Sequence, residues 1–196
     1  MRKEIKFAGF GGQGVVKSAL LLCVASGLYE EKEIAQTQSY GPEARGGACR
    51  SEVVISDERI DYIKPLQVDS FVVMSQPALD QYLPEIDPEE TVVIADTTLI
   101  KKIPPSLSKL YPIEATAIAE REFGSAMYAN IILLGVLSAL TQVVGIEALE
   151  RSLEGNVPPQ TLEKNRAALR KGYDLGLSLK NGILPSRSNG KEAENR

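Results

Sequence analysis

The sequence predicts an α/β fold: a single three-layer α/β/α domain around a mixed, mainly parallel β-sheet. Residues 70–74 and 91–95 each consist of one hydroxyl residue followed by four apolar residues, which is typical of central strands covered on both faces. Strand-like and helix-like segments alternate along the chain, and this order favours a parallel sheet. The 196 residues, 43% of them hydrophobic and 24% charged, have the length and composition of one globular domain.

The first predicted elements are a strand, a turn rich in glycine and a helix. Residues 5–8 are apolar apart from Lys6 and are followed by a glycine, which indicates a short strand. From Gln13 onward apolar residues recur at helical spacing, and Gly27 is expected to end this helix. Two extended segments, 33–38 and 47–56, follow. The residues after the second segment are predicted to pair back on it as a hairpin, which would make the sheet partly antiparallel.

The second half of the chain predicts alternating helices and strands. A helix at 78–83 joins the two apolar strands, and a weak strand is expected near 111–113. A short helix is predicted at 118–123, followed by a long apolar helix from Ser125. Prolines introduce a last amphipathic helix over 160–179. No further element is predicted.

One domain boundary is predicted, between residues 185 and 186. Residues 1–185 form the domain, whereas 186–196 are polar and poor in apolar residues, so a disordered tail is expected there.

The apolar segment 126–144 is about long enough to span a bilayer, but polar residues such as Asn130 and Gln142 interrupt it. A buried helix and no membrane anchor are therefore expected.

The composition excludes several kinds of chemistry on this chain. There is no histidine, so the commonest general base and metal ligand are missing. Only Cys23 and Cys49 are present, whereas an iron–sulfur cluster normally needs four thiolates. The net charge of −4, without a basic stripe, argues against nucleic acid. With no signal-peptide pattern, a cytoplasmic chain is expected, with no catalytic residue and no metal of its own.

A first glycine-rich motif, GFGGQG, occupies residues 9–14 directly after the first strand. It matches G-x-G-x-x-G between a strand and a helix, but no acidic residue ends the next strand to bind a ribose. Dinucleotide binding, a plain structural turn and a backbone-lined anion or docking site all stay open. Gln13 has an amide that both donates and accepts, which suits holding a loop but not acid–base chemistry.

A second glycine-rich motif, SYGPEARGG, occupies residues 39–47 and sets one arginine among very small residues. A guanidinium with so little bulk around it allows a ligand or a partner backbone to come close. A surface arginine that closes a turn is the alternative interpretation. The candidate CoA, anion or subunit-interface residues of both motifs are Gly9, Gly11, Gly12, Gln13, Gly14, Tyr40, Gly41, Pro42, Glu43, Arg45, Gly46 and Gly47.

The two motifs, followed by the strand SEVVISD at 51–57, resemble the gamma subunit of the 2-oxoacid:ferredoxin oxidoreductases and the equivalent domain of pyruvate:ferredoxin oxidoreductase. The resemblance covers nearly the whole chain apart from the polar tail. Residues 36–47 are most similar to the 2-oxoglutarate branch. The later residues that follow the family's pattern are Ala115–Ala119, Gly124, Ala129, Asn130, Leu134, Gly135, Val157, Pro158 and Asn165–Ala167.

The resemblance implies a subunit that is not catalytic alone. The family converts a 2-oxoacid, CoA and oxidised ferredoxin into acyl-CoA, CO2 and reduced ferredoxin. In it, thiamine diphosphate and Mg lie with the alpha and beta subunits, and iron–sulfur clusters lie on the beta or a ferredoxin-like delta subunit. The resemblance thus implies these subunits as partners, ferredoxin as acceptor through the complex, and CoA as a substrate that the gamma subunit helps to enclose.

The resemblance also implies roles for the two motifs. Arg45 is expected to contact an anion or to clamp a neighbouring subunit at the mouth of the active site. Residues 9–14, with Gln13, are expected to face a phosphate-bearing part of CoA or to dock against the alpha subunit. The alternative is a free-standing nucleotide- or dinucleotide-binding protein that uses the 9–14 turn.

Overall fold

A computed structural model describes residues 1–39 and 48–182 of the chain. Their strands form one sheet of six. The strands are β1 (Arg2–Phe10), β2 (Glu33–Ser39), β3 (Ala48–Ser56), β4 (Ser70–Val73), β5 (Val92–Asp96) and β6 (Leu110–Ile113). The α-helices are α1 (Val15–Val24), α2 (Gln76–Tyr82), α3 (Ala115–Phe123), α4 (Ala129–Thr141), α5 (Ile146–Leu153) and α6 (Leu162–Lys180).

The sheet has the strand order β2-β3-β1-β4-β5-β6. Strands β1, β4, β5 and β6 run parallel to one another, and β3 is antiparallel to both of its neighbours, β1 and β2. The direction of β2 is therefore that of β1, so β3 alone runs against the other strands. The predicted mixed, mainly parallel sheet is confirmed.

Helices cover both faces of the sheet, as the alternation along β4 shows. Val72 packs into the larger apolar core with residues of α1, α4, α5 and α6. Its neighbours Phe71 and Val73 point the other way, into a smaller core with Ala78 and Leu79 of α2. One core lies on each side of the sheet, so helices, sheet and helices form the three layers that the sequence predicted.

The predicted hairpin after β3 is wrong. Residues 57–69 contain no strand, and the antiparallel part of the sheet comes from β3 lying between β2 and β1. Because both edges of β3 are already paired along their length, no edge is free to accept a returning strand. The periodicity of the sequence identified the strand but not its neighbours.

One helical prediction also needs correction, and one helix was not predicted. Gly27 does not end α1, because the helix continues through a π-helical turn, Ala25–Tyr29. A Cβ on Gly27 would lie 2.3 Å from Cδ1 of Ile34, so this glycine lets β2 pack close to the turn. Helix α5 was not predicted from the sequence. Its eight residues fall below the length at which periodicity is a firm signal.

Helix α4 is the apolar segment that raised the question of a membrane span. Eleven of its thirteen residues are buried against the sheet and α6. Within residues 1–39 and 48–182, no helix combines the length and apolar character that crossing a bilayer requires. Segment 40–47, the domain boundary at 185 and the tail 186–196 lie outside the described residues, so the boundary and the disordered tail stay predictions.

Candidate functional site

The first glycine-rich motif lies at the carboxyl end of β1. This strand lies inside the sheet, between β3 and β4. The strand ends at Phe10, the turn follows, and α1 begins at Val15 with Gly14 as its N-cap. Gly12 and Gly14 have φ angles of 91° and 79°, a conformation that glycine adopts at low cost. The strand–turn–helix context that the sequence predicted is therefore present.

Two of the glycines are explained by close packing. A Cβ on Gly14 would lie 2.4 Å from Nδ2 of Asn130, whose amide donates to the Gly14 carbonyl at 3.2 Å and to Oγ of Ser18 at 3.2 Å. A Cβ on Gly9 would lie 2.6 Å from Oε1 of Gln13. Gly9 and Gly14 therefore let α1 and α4 approach β1, and Asn130 has the partners that a buried amide requires.

Gln13 crosslinks the turn to the neighbouring strand. Its Oε1 accepts the Phe10 N–H at 2.6 Å, and its Nε2 donates to the Met74 carbonyl, just after β4, at 3.1 Å. The side chain folds back into the turn instead of extending to solvent. Both ends of its amide are therefore bonded to backbone groups. This geometry agrees with a role in holding the loop.

The exposed part of the motif is Phe10, Gly11 and Gly12, and a Cβ on Gly12 would meet nothing within 4 Å. Among the described residues, no side chain caps the start of α1, and no acidic residue lies in its first turn. The helix N-terminus therefore presents N–H groups and a partial positive charge beside an open backbone. This arrangement suits an anion or a polypeptide backbone.

Residues 40–47 of the second motif fall outside the described residues. They include Tyr40, Arg45 and the glycines beside Arg45. Its flanking residues are described. Ala48 pairs with Phe10, and the Tyr82 hydroxyl donates to the Ala48 carbonyl at 3.0 Å. The chain thus enters β3 beside the end of β1, so both motifs adjoin the same end of the sheet.

Sequence reasoning missed three exposed apolar side chains at this end. Phe10 ends β1, Leu99 follows β5, and Met127 lies three residues before Asn130, with exposed fractions of 40%, 39% and 67%. No pattern in the sequence separates an exposed apolar residue from a buried one at a strand end. Exposed apolar groups beside a polar turn are typical of surfaces that contact other proteins.

Asp96, at the carboxyl end of β5, has a structural role. It is fully buried, and its carboxylate accepts the Thr116 N–H and hydroxyl at 3.1 and 2.5 Å. The other carboxylate oxygen accepts the Thr98 N–H at 3.0 Å. These bonds tie the loop after β5 to the start of α3, so the carboxylate is occupied by contacts within the chain.

The two cysteines are packed side chains. Burial raises the pKa of the Cys23 thiol to about 12 and also raises the pKa of the Cys49 thiol. Raised pKa values keep a thiol protonated and unreactive at neutral pH. Across the described ranges, no group of three or more histidine, cysteine or acidic residues is arranged to hold a metal ion.

The strand order argues against a dinucleotide site. In that site the strand after the first helix lies next to the first strand, with an acidic residue at its end. Here β3 separates β2 from β1, and β2 ends at Gln38 and Ser39. The parallel neighbour of β1 is β4, which is followed by Met74 and Ser75. Neither position supplies the carboxylate that would bind a ribose.

Comparisons with known proteins give a consistent result. The profile of the pyruvate ferredoxin/flavodoxin oxidoreductase family matches residues 4–175. The chain is 46% identical to 2-oxoglutarate synthase subunit KorC of Methanocaldococcus jannaschii, over 91% of this chain and 96% of that protein.

Two solved structures are similar as well. The gamma subunit of a keto/oxoacid ferredoxin oxidoreductase from Geobacter sulfurreducens superposes with a TM-score of 0.82 at 35% identity, over 91% of this chain and 98% of that one. A 2-oxoglutarate:ferredoxin oxidoreductase from Magnetococcus marinus, solved with 2-oxoglutarate, coenzyme A and succinyl-CoA bound, superposes with a TM-score of 0.78 over 95% of this chain and 32% of that one. At 23% identity the second likeness is one of fold.

Proposed function

The chain belongs to the pyruvate ferredoxin/flavodoxin oxidoreductase family, and on that premise we propose that it is the gamma-type subunit of a 2-oxoacid:ferredoxin oxidoreductase. The observation that carries this function is the 46% identity to a 2-oxoglutarate synthase subunit over nearly the full length of both chains. The subunit completes an oxidoreductase complex and is not catalytic alone. The alternative of a free-standing dinucleotide-binding protein is not favoured, because the sheet order lacks the ribose-binding strand.

The 2-oxoacid that we propose is 2-oxoglutarate. The complex would decarboxylate it oxidatively, form a thioester with CoA and pass two electrons to ferredoxin. Residues 36–47 carry the resemblance to the 2-oxoglutarate branch, and the relative named above is a 2-oxoglutarate synthase subunit. Substrate contacts would come largely from other subunits, since this chain has neither histidine nor a catalytic residue assigned to it.

The partners that we propose are alpha and beta subunits, with a delta subunit where the clusters lie on a separate chain. Thiamine diphosphate, Mg and the iron–sulfur clusters would be held by these partners, and ferredoxin would bind the complex. Two cysteines in the whole sequence are too few to ligate a cluster. The cytoplasm is the compartment we propose, because free thiols fit a reducing environment.

The site that we propose on this chain is the carboxyl end of β1 together with residues 40–47. Gly11 and Gly12 would offer exposed backbone, the start of α1 would favour negative charge, and Arg45 would supply a guanidinium. Its ligand would be a phosphate-bearing part of CoA or the backbone of a neighbouring subunit. A helix N-terminus stabilises an exposed anion by about 0.3–1 kcal/mol, so Arg45 would carry most of the interaction.

Co-purification from native lysate tests the subunit assignment. A tagged copy of the chain should retain larger partners, and the retained complex should reduce a ferredoxin or a dye only when both 2-oxoglutarate and CoA are present. Pyruvate and 3-methyl-2-oxobutanoate serve as competing substrates and should react more slowly. Recovery of the chain without partners, or turnover without them, would contradict the assignment.

Substitution of Arg45 tests the site within the assembled complex. Arg45→Ala should raise the KM for CoA or weaken subunit association by about tenfold, because a charge-assisted hydrogen bond contributes about 1.5–3 kcal/mol. Arg59→Ala is the matched control, since the Arg59 side chain is 90% exposed and pairs with Asp61 at 3.4 Å. If both variants leave the KM and association unchanged, Arg45 is a surface arginine and the proposed site is wrong.

A further inference from the structure

A cavity of about 330 Å³ opens at the amino end of the sheet, opposite the glycine-rich turn. It lies on the α4 side, between the starts of β1, β4 and β5 and the C-terminal end of α4. Its volume falls in the range of small-molecule sites, about 300–1,000 Å³. The function proposed above does not use this end of the molecule.

The strands contribute Ile5, Val92 and the hydroxyl-bearing Ser70 to the lining of the cavity. Ser70 opens β4 and stands between Ile5 of β1 and Val92 of β5 in the sheet register. The serine is 3% exposed and lines the cavity, and no hydrogen bond joins its hydroxyl to another described residue. The Ser70 hydroxyl is therefore reachable from the cavity and free to bond an occupant, although the residue as a whole is nearly buried.

The opposite wall comes from the end of α4 and the loop that follows it. Leu140 and Val143 line it with apolar surface, whereas the Thr141 hydroxyl is already bonded to the Leu137 carbonyl at 2.7 Å. The body of an occupant would therefore contact aliphatic groups on both sides. A small, branched aliphatic group matches this lining.

The mouth of the cavity carries charges of both signs. Lys3 pairs with Asp69 at 2.8 Å, and Lys109 pairs with Glu90 at 2.7 Å. An ammonium has three donors and a carboxylate accepts several bonds, so each pair keeps capacity for a further partner. All four side chains are between 33% and 65% exposed, so a ligand reaches them from solvent.

We propose that this cavity binds a small zwitterion with an aliphatic body, namely an apolar α-amino acid. The α-carboxylate would bind the lysines, the α-ammonium would bind the carboxylates, and the aliphatic side chain would lie against Ile5 and Val143. Ser70 would donate to the ligand carboxylate or to a water held by it. A purely anionic ligand fits less well, because Asp69 and Glu90 balance the lysines at the mouth.

Calorimetric titration of the full chain with L-leucine tests the site. We expect saturable binding to the unaltered chain. Ser70→Leu, which fills the cavity, should abolish it, and Ser70→Ala should weaken it about 3- to 10-fold through one lost hydrogen bond. Ser26→Ala is the matched control, because Ser26 is also a buried residue whose hydroxyl has no partner among the described residues, but it does not line the cavity.

Two analogues test the requirement for both charges. 4-Methylpentanoate lacks the ammonium and 3-methylbutylamine lacks the carboxylate, so each should bind at least about tenfold more weakly than L-leucine. The proposal is overturned if L-leucine does not bind, if Ser70→Leu binds it unchanged, or if either analogue binds as tightly. Co-purification with partner subunits does not enter this titration, so its outcome is independent of the subunit assignment.

Discussion

At the scale of single residues, the space around each glycine distinguishes packing from exposure within the turn. Gly14 faces the Asn130 amide, whereas Gly12 faces open space, although both have positive φ angles. The cost of a methyl group at Gly14 therefore combines backbone strain and a clash, while at Gly12 it is strain alone. Only the exposed position is open to a ligand or a partner backbone.

Gly14→Ala should lower the free energy of unfolding by about 2–5 kcal/mol, since strain of about 1–2 kcal/mol adds to overpacking of about 1–3 kcal/mol. Gly12→Ala, the matched control, should lose about 1–2 kcal/mol from strain alone. Urea unfolding of both variants measures the difference. Equal losses would contradict the assignment of Gly14 to packing against Asn130.

The thiols give a second prediction at this scale. Because burial raises the pKa of Cys23 to about 12 and also raises that of Cys49, each thiol has a smaller thiolate fraction at pH 8 than an exposed thiol has. A thiol reagent should therefore modify the folded chain slowly at pH 8 and modify both cysteines quickly in denaturant. Rapid modification of the native chain would show that one of the thiols is accessible.

At the scale of elements, the pair α4–α6 depends on glycine. A Cβ on Gly172 of α6 would lie 1.9 Å from the Ile132 carbonyl oxygen, and one on Gly135 of α4 would lie 2.2 Å from the Leu169 carbonyl oxygen. The two backbones are thus in contact, with each glycine facing the partner helix. Helix α4 also carries Asn130, which contacts the glycine-rich turn, and Leu140, which lines the cavity. The contact with α6 therefore holds in place a helix that reaches both of the sites that we propose.

Gly172→Ala should destabilise the protein by at least about 2 kcal/mol. Alanine is the better helix former by about 1 kcal/mol, but the added methyl meets backbone that has no room to move, so overpacking decides the sign. Ala167→Leu, at an exposed position of the same helix, should change stability by less than about 0.5 kcal/mol. Thermal or urea unfolding measures both, and a stabilised Gly172→Ala variant would contradict the close contact.

At the scale of the whole molecule, the sheet separates two functions that we propose. The carboxyl end of β1 adjoins both glycine-rich motifs and the exposed Phe10, whereas the amino end holds the cavity around Ser70. Parallel strands place all their carboxyl ends at one edge of the sheet, which concentrates loops there. The chain thus has one end suited to partners and a separate pocket at the other.

The isolated chain should neither oxidise 2-oxoglutarate nor show visible absorbance from a flavin or an iron–sulfur cluster. The sequence offers only two thiols, too few to ligate a cluster, and the other cofactors of the reaction are proposed to lie on the partner subunits. Activity should return when the partner subunits are added. Spectroscopy and a dye-reduction assay check this, and turnover by the chain alone would overturn the subunit assignment.

The sequence by itself determined the fold class and the place of the glycine turn, because both depend on short-range properties. Continuous apolar runs mark β4 and β5, and a strand, glycines and a helical period mark the start of α1. The sequence also predicted that helix α4 is buried, because its segment is long and apolar with only isolated polar residues. The absence of histidine removed the commonest general base and metal ligand from consideration before any coordinate was known.

Only the tertiary structure decided what depends on neighbours distant in sequence. It placed β3 between β2 and β1, set Asn130 against Gly14 and left Gly12 open. It also brought Ser70 to the floor of a cavity whose walls come from three strands and a helix. No local pattern encodes these contacts, because a side chain's partner is fixed by how whole elements pack against one another.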